Sequence, residues 1–287
     1  MRKVKEFFIE KLILVCGLAS IFFVILIFLF LAKEGLAVFK SVTPFNFLFG
    51  KSWYPISDPP QLGILPLIFG SLLVTLGAAI ISIPIGVACA VYIAEIAPLK
   101  IKEILKAGIE LLAAIPSVVL GFIGMVTLVP WVKTVFGLPT GLTALSGAII
   151  LAFMAMPTIV SIAEDALYSV PKSYKEGAFA LGATHWQTIY RVLLPAASSG
   201  IVAAVMLGIG RVIGETMAVM MITGNAAVIP QNILVPVRTL TATIAAEMGE
   251  AVVGSEHYFA LFAIGIVLFI MSFIINVTAD LFLHKRP

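Results

Sequence analysis

The sequence predicts an all-α, polytopic membrane protein with six transmembrane helices, and three observations carry that reading. Of the 287 residues, 61% are hydrophobic and only 11% charged, with a mean hydropathy of +1.14, whereas a soluble domain carries about 25% charged residues. Lipid is therefore the solvent. Six apolar runs each reach the roughly 20 residues that a helix needs to cross hydrocarbon. Backbone polar groups in lipid must be satisfied internally, which leaves helices or closed barrels, and these runs are too long for barrel strands.

The first run, Leu12 to Ala32, follows a basic flank of Arg2, Lys3, Lys5 and Lys11. It is too long for a signal-peptide core and lacks a small-x-small cleavage site, so a retained helix is expected. Residues 1–33 thus form a tail and a peripheral helix. Residues 34–66 form an extracytoplasmic segment whose Trp53 and Tyr54 suit a membrane interface, while Pro55, Pro59 and Pro60 argue against regular helix there. Residues 67–283 form the core. Its first helix, Leu67 to Ala94, carries Gly70, Ser71, Gly77, Ala78, Gly86 and Ala90, small residues that let helices approach closely in lipid. Ala107 to Val129 and Leu142 to Ala163 are the next two spans. Pro84, Pro116 and Pro157 interrupt the second, third and fourth helices, with packing kinks a plainer reading than hinges. Cys16 and Cys89 lie singly in apolar spans, with no metal spacing or disulfide framework, and are expected to be small buried hydrophobes. Ser198 to Ile222 and Tyr258 to Leu283 complete the six.

Orientation follows from the cations. With the N-terminus inside, cytoplasmic segments hold Arg2, Lys3, Lys5, Lys11, Lys100, Lys102, Lys106, Lys172, Lys175, Arg191, Lys285 and Arg286. Lys33, Lys40, Lys51, Lys133 and Arg238 fall outside, twelve against five, and Arg211 is left within a span. Both termini are therefore expected in the cytoplasm. The net charge of +3 is accounted for by these flanks and calls for no nucleic acid.

Between the fourth and fifth spans lies a polar elbow, Ser173 to Pro195, within a cytoplasmic loop over 171–197. Ser173 with Glu176, and Thr184 with Gln187, have the spacing of capping boxes, so two short helices are expected with Gly182 between them. Without a Cβ, Gly182 can adopt the left-handed conformation that ends a helix and lets another surface approach. Pro195 marks the entry to the next apolar helix. The local pattern fits an ordinary linking hairpin as well as a docking loop.

Polar groups inside the membrane are few. Arg211 and Glu215, in Gly208-Ile-Gly-Arg-Val-Ile-Gly-Glu-Thr-Met-Ala-Val, are four residues apart and face the same way on a continuous helix. An Arg at mid-helix depth costs roughly 2.5 to 3.5 kcal/mol by insertion scales, so it faces a partner or a wet path. A structural ion pair with Glu215 is one reading. A place on an anion route is the other, because a guanidinium offers a planar fork of donors to oxyanions. Glu164 and Asp165 read as solvated charges closing the fourth helix. Arg238, Thr239, Thr241 and Thr243 fall in an external loop, near Glu247, Glu250 and Glu256, which would repel an anion. No G-x-x-x-x-G-K-[ST] loop is present, so ATP is not expected to bind this chain, and neither H-E-x-x-H nor Gly-x-Ser-x-Gly appears.

The elbow segment Glu176-Gly177-Ala178, three residues, Gly182, nine residues, Val192-Leu193-Leu194-Pro195 resembles the E-A-A-x3-G-x9-I-x-L-P loop of type I ABC-importer permeases. Gly177 for Ala and Val192 for Ile depart mildly from that pattern. Ile162-Ala-Glu-Asp-Ala-Leu167, Gly182-Ala-Thr-His-Trp-Gln187, Gly210-Arg-Val-Ile-Gly-Glu-Thr-Met-Ala-Val219 and Val237-Arg-Thr-Leu-Thr-Ala-Thr-Ile-Ala245 are together similar to the PstC family, one of two permease families of bacterial phosphate-specific ABC transporters. The resemblance covers about Leu67 to Leu283. It implies a type I permease fold and a multi-pass subunit of the bacterial inner membrane. It also implies a second, PstA-like permease, a PstB-like ATPase dimer that uses ATP and magnesium, and a PstS-like phosphate-binding protein outside. Ser173, Glu176, Gly177, Ala178, Gly182, Thr184, Leu194 and Pro195 would then belong to the ATPase-coupling loop. Arg211, Glu215 and Thr216 would lie on the substrate path. A permease for another oxyanion or an organic anion shares the elbow. An ion-coupled secondary transporter would often show paired halves with interrupted helices near the midplane, and no such paired halves are visible in the sequence.

Overall fold

The computed structural model of the protein describes residues 2–284; Lys285 and Arg286, read above as cytoplasmic cations, lie outside the described residues. Helix α1 (Arg2–Gly35) runs into a 3-10 turn, Leu36–Lys40. It touches the rest mainly through its second half, where Phe28 and Phe30 meet Phe269 and Phe262 at centroid distances of 5.0 and 5.5 Å. The stretch from Leu12 to Ile27 is apolar and largely exposed, the surface a lipid-facing helix presents.

The segment before the core is more ordered than its prolines suggest. Pro44 opens a short helix, α2 (Pro44–Phe49), capped by the Thr43 side chain, since proline's fixed φ suits a first helical turn. Strands β1 (Trp53–Tyr54) and β2 (Gln61–Leu62) pair antiparallel, Trp53 opposite Leu62, with the prolines confined to the connection. Phe47, Trp53, Leu62 and Ile64 bury against Leu67, Leu240 and Leu261, so this segment caps one end of the bundle.

Helices α3 (Leu65–Val91) and α7 (Ala144–Tyr168) form the most extensive helix pair. Between them lie α4 (Leu99–Ala114), α5 (Ser117–Ile123) and α6 (Val129–Phe136), the last two joined by a π-helical turn. The third span is therefore Ser117–Phe136 and not Ala107 to Val129. Pro116 ends the run, and α4 is an amphipathic helix whose apolar residues happen to abut the true span.

Beyond α7 come α8 (Lys172–Ala180), α9 (His185–Thr188), a π-helical turn, α10 (Leu194–Ala196), α11 (Ser198–Gly214) and α12 (Met217–Ile222). The fifth span is not continuous to Ile222, because α11 stops at Gly214 and Glu215 is extended, with ψ 132°. The chain closes with α13 (Leu240–Glu247) and α14 (Glu256–His284). Thr239, Thr241 and Thr243, expected in a loop, cap and bury within α13. Among the described residues, five helices are long and apolar enough to cross a membrane. A sixth is counted if His185–Ala196 and Ser198–Gly214, bent by 70°, form one span.

Close packing concentrates around Ile159 of α7. A Cβ added at Gly208 of α11 would lie 2.5 Å from its Cγ1, and one at Gly86 of α3 2.8 Å from its Cγ2. In lipid, such dispersion contacts hold helices where apolar burial supplies no drive. Cys16 and Cys89 are exposed on the outer faces of α1 and α3, correcting the expectation of burial. Small side chains on a lipid-facing helix surface need no enclosure.

Candidate functional site

The elbow is built largely from its own backbone chemistry. Helix α8 starts two residues earlier than the Ser173–Glu176 spacing implies: Pro171 stands at the cap, Ser173 is already helical, and that capping box does not form. Helix α8 ends on Gly182 at φ +79°. The Gly182 N–H donates to Phe179 O at 2.9 Å and the Ala183 N–H to Ala178 O at 3.0 Å, the paired bonds of a Schellman motif. Thr184 and Gln187 do form their box, with Gln187 N–H to Thr184 Oγ1 at 3.3 Å and Thr184 N–H to Gln187 Oε1 at 2.8 Å.

The elbow has a buried side and an open one. Ile189 and Leu193 bury against Val91 of α3, Ile93 of the π-helical turn Tyr92–Ile96 that continues it, and Ala163 and Leu167 of α7, and Ala178 is also buried. Lys175 Nζ reaches Glu95 Oε2 at 2.5 Å and pins α8 to the π-helical turn, Tyr92–Ile96, that continues α3. On the open side, Leu181 is 91% exposed, Trp186 and Tyr190 are exposed, and no atom lies within 4 Å of a Cβ built on Gly177 or Gly182. Ser173, Glu176, Thr184 and Pro195 are also exposed, and Leu194 is half-buried.

Beside the elbow, Glu164 is buried, not solvated as expected. Lys102 and Lys106 of α4 place their ammonium groups 2.8 and 2.7 Å from its two oxygens. Local spacing could not reveal this because the partners lie some sixty residues upstream, although two lysines at i and i+4 on one face of α4 were a signal for an acidic counterpart. Adjacent Asp165 is exposed, since neighbouring residues on a helix point in different directions.

The intramembrane pair is arranged differently from its spacing. Arg211, in the last turn of α11, is exposed, and its Nη1 donates to Thr158 Oγ1 of α7 at 3.4 Å. Among the described residues no ion pair joins it to Glu215. The helix ends between them: Glu215 Oε1 instead accepts from Ala218 N–H at 3.3 Å, at the start of α12, and its carbonyl accepts from Thr241 Oγ1 at 3.0 Å. Thr216 Oγ1 donates to Gly214 O at 3.2 Å. Glycines at 208, 210 and 214 were the available hint that this helix would not run on. Among the described residues, Arg211 thus keeps most of its guanidinium donors unengaged, beside open glycines. Thr158 was not foreseen.

At the opposite end, Glu247 is not free to repel an anion. Arg238 Nη1 lies 2.5 Å from Oε1, His257 Nε2 2.9 Å from Oε2, and Trp53 Nε1 donates to both oxygens at 3.2 and 3.1 Å. The cluster ties β1 to α13 and α14.

Residues 82–286 match the family described as binding-protein-dependent transport system inner membrane component. The chain is 43% identical over 267 residues to the probable ABC transporter permease protein YqgH of Bacillus subtilis, covering 92% of this chain and 86% of that protein. It is 35% identical over 260 residues to the phosphate transport system permease protein PstC of Mesorhizobium japonicum, covering 84% and 79%. Among solved structures, a bacterial alginate ABC transporter superposes with a TM-score of 0.66 at 18% identity, covering 96% of this chain and 95% of the other. The MetNI methionine ABC transporter, facing inward, gives 0.61 at 21%, covering 79% and 98%. At these identities the structures speak to fold alone, and the fold is that of ABC importer permeases.

Proposed function

The chain belongs to the family of binding-protein-dependent transport system inner membrane components, and from that premise we propose that it is the PstC-like permease subunit of an importer that moves inorganic phosphate into the bacterial cytoplasm. The observation that carries the substrate is Arg211. It is an exposed guanidinium at the end of a broken spanning helix, in a chain that is similar over most of its length to phosphate permeases. A guanidinium in hydrocarbon is costly and is retained where it meets an anion or a wet path.

Energy enters from a separate ATPase dimer, which binds ATP and magnesium. The residues of the coupling loop, Ser173, Glu176, Gly177, Ala178, Gly182, Thr184, Leu194 and Pro195, form or support the surface that it grips. The exposed Leu181 and the open approach to Gly182 support this reading, as does the pinning of α8 by Lys175 and Glu95 to the turn that continues α3, which lets a push on the elbow reach a spanning helix. A second permease subunit and an external phosphate-binding protein complete the assembly. Both termini and the elbow face the cytoplasm, by the distribution of cations.

The test is uptake. Co-expressed with its partner subunits and reconstituted in vesicles, the chain supports ATP-dependent entry of radiolabelled phosphate that excess sulfate does not suppress. Uptake of another anion in preference to phosphate overturns the substrate, and uptake that runs on an ion gradient without ATP overturns the class.

A further inference from the structure

We infer that Thr158 is a second anion contact of the permease, a hydroxyl that acts beside Arg211 on the travelling oxyanion. The inference rests on the proposed phosphate path and adds a residue to it.

Helical threonines can satisfy their hydroxyls by donating to the carbonyl four residues back. Thr134, Thr188, Thr223 and Thr243 do so here, at 2.8, 3.1, 2.9 and 2.8 Å. Thr158 makes no such bond among the described residues. Its oxygen accepts from Arg211 Nη1, so the hydroxyl proton is uncommitted. The 3.4 Å contact lies beyond the ordinary 2.7–3.2 Å range of N–H···O bonds, and a charged ligand can therefore displace it at small cost. What remains is a hydroxyl proton next to a guanidinium with most of its donors unengaged.

The surroundings favour an anion and no other class of ligand. The Glu215 carboxylate is turned away to the start of α12, so no acidic oxygen is bonded to this group. Gly210 and Gly214 leave open space on the same stretch of α11, with nothing within 4 Å of a Cβ built on either. The position of Thr158 is firm. The next residue, Ile159, is fully buried and wedged between Gly86 and Gly208, which fixes the register of α7 against α11. Arg211 holds the charge and Thr158 supplies one directed donor, so the oxyanion is both attracted and oriented as it passes.

The experiment compares Thr158→Val, which keeps the shape and removes the hydroxyl, with Thr158→Ser, which keeps the hydroxyl, in the assembled transporter reconstituted in vesicles with radiolabelled phosphate. Thr158→Ala is carried alongside in case the valine form assembles poorly. Thr158→Val lowers the transport rate per assembled complex by about tenfold or more, the effect of losing a hydrogen bond to a charged group, and Thr158→Ser restores it to within about twofold of native. Native transport by Thr158→Val overturns the inference. So does a serine form as slow as the valine form, because shape and not the hydroxyl would then matter. If Arg211→Gln abolishes uptake while Thr158→Val is native, only this inference fails; if Arg211→Gln is itself native, the phosphate path through this site fails as well.

Discussion

Replacing Glu164 by alanine tests how the interfacial helix α4 is held to the bundle. The carboxylate side chain is 3% exposed and accepts two ammonium groups at 2.8 and 2.7 Å. Removing one member of a buried pair typically costs about 3–5 kcal/mol, because the remaining charge is left without compensation. The two lysines are not equivalent, since the Lys102 side chain is 20% exposed and that of Lys106 43%. Lys106 can turn to water, which places its share near the value of exposed pairs, about 1 kcal/mol or less. Glu164→Ala is therefore expected to cost about 3 kcal/mol or more, Lys102→Met about 2 and Lys106→Met under about 1. The lysine losses will not sum to the glutamate loss, because all three groups share one site. The assay is equilibrium denaturation in mixed micelles. The hydrogen bond to Glu164 raises the pKa of Lys106 above its ordinary value, with the carboxylates of Glu164, Asp165 and Glu110 adding to it and burial opposing. A raised pKa gives stability that is complete below the unfolded value of about 10.4 and is lost only as pH climbs through the folded one. Lys106 should therefore contribute no pH dependence between about pH 6 and 9. A Glu164→Ala protein as stable as the native chain, or a larger loss from Lys106→Met than from Lys102→Met, would refute this account.

Gly182→Trp should insert and assemble normally yet lose transport-linked ATP hydrolysis, whereas Gly182→Asn, which tolerates the left-handed conformation at φ +79°, should retain part of it; normal hydrolysis by the tryptophan form would remove the elbow from coupling. Topology is checked with single cysteines at Leu181 and Ile56, 91% and 86% exposed, after Cys16 and Cys89 are replaced, since both are themselves accessible. An impermeant thiol reagent should label the first only from the cytoplasm and the second only from outside. Labelling of both from one side breaks the orientation.

Much of the elbow was legible because its signals are local. Gly182 and the Thr184–Gln187 box are properties of four or five consecutive residues, and they fold as their spacing dictates. Ser173 with Glu176 has the same spacing, but Pro171 sets the helix start two residues early and the box has no cap to form on. Longer-range features escaped for a physical reason. Hydropathy merges α4 with the third span, since an amphipathic interfacial helix presents nearly as many apolar residues as a spanning one, and only the break at Pro116 divides them. The spacing of Arg211 and Glu215 suggests an ion pair on a continuous helix. Intervening glycines weaken that helix, and once it ends at Gly214 the two side chains find different partners. Glu164, Glu95 and Thr158 became visible only when tertiary packing brought distant elements together.

The central claim, a permease that passes phosphate along Arg211 on energy delivered at the elbow, is tested most directly by ATP-dependent phosphate uptake in vesicles holding the assembled transporter with Arg211→Gln. Glutamine stays polar but lacks the charge and the bidentate fork. The account predicts a complex that assembles and does not take up phosphate, with only partial recovery in Arg211→Lys. Uptake at the native rate by Arg211→Gln would contradict it, leaving Arg211 a structural contact of Thr158 and placing the path elsewhere.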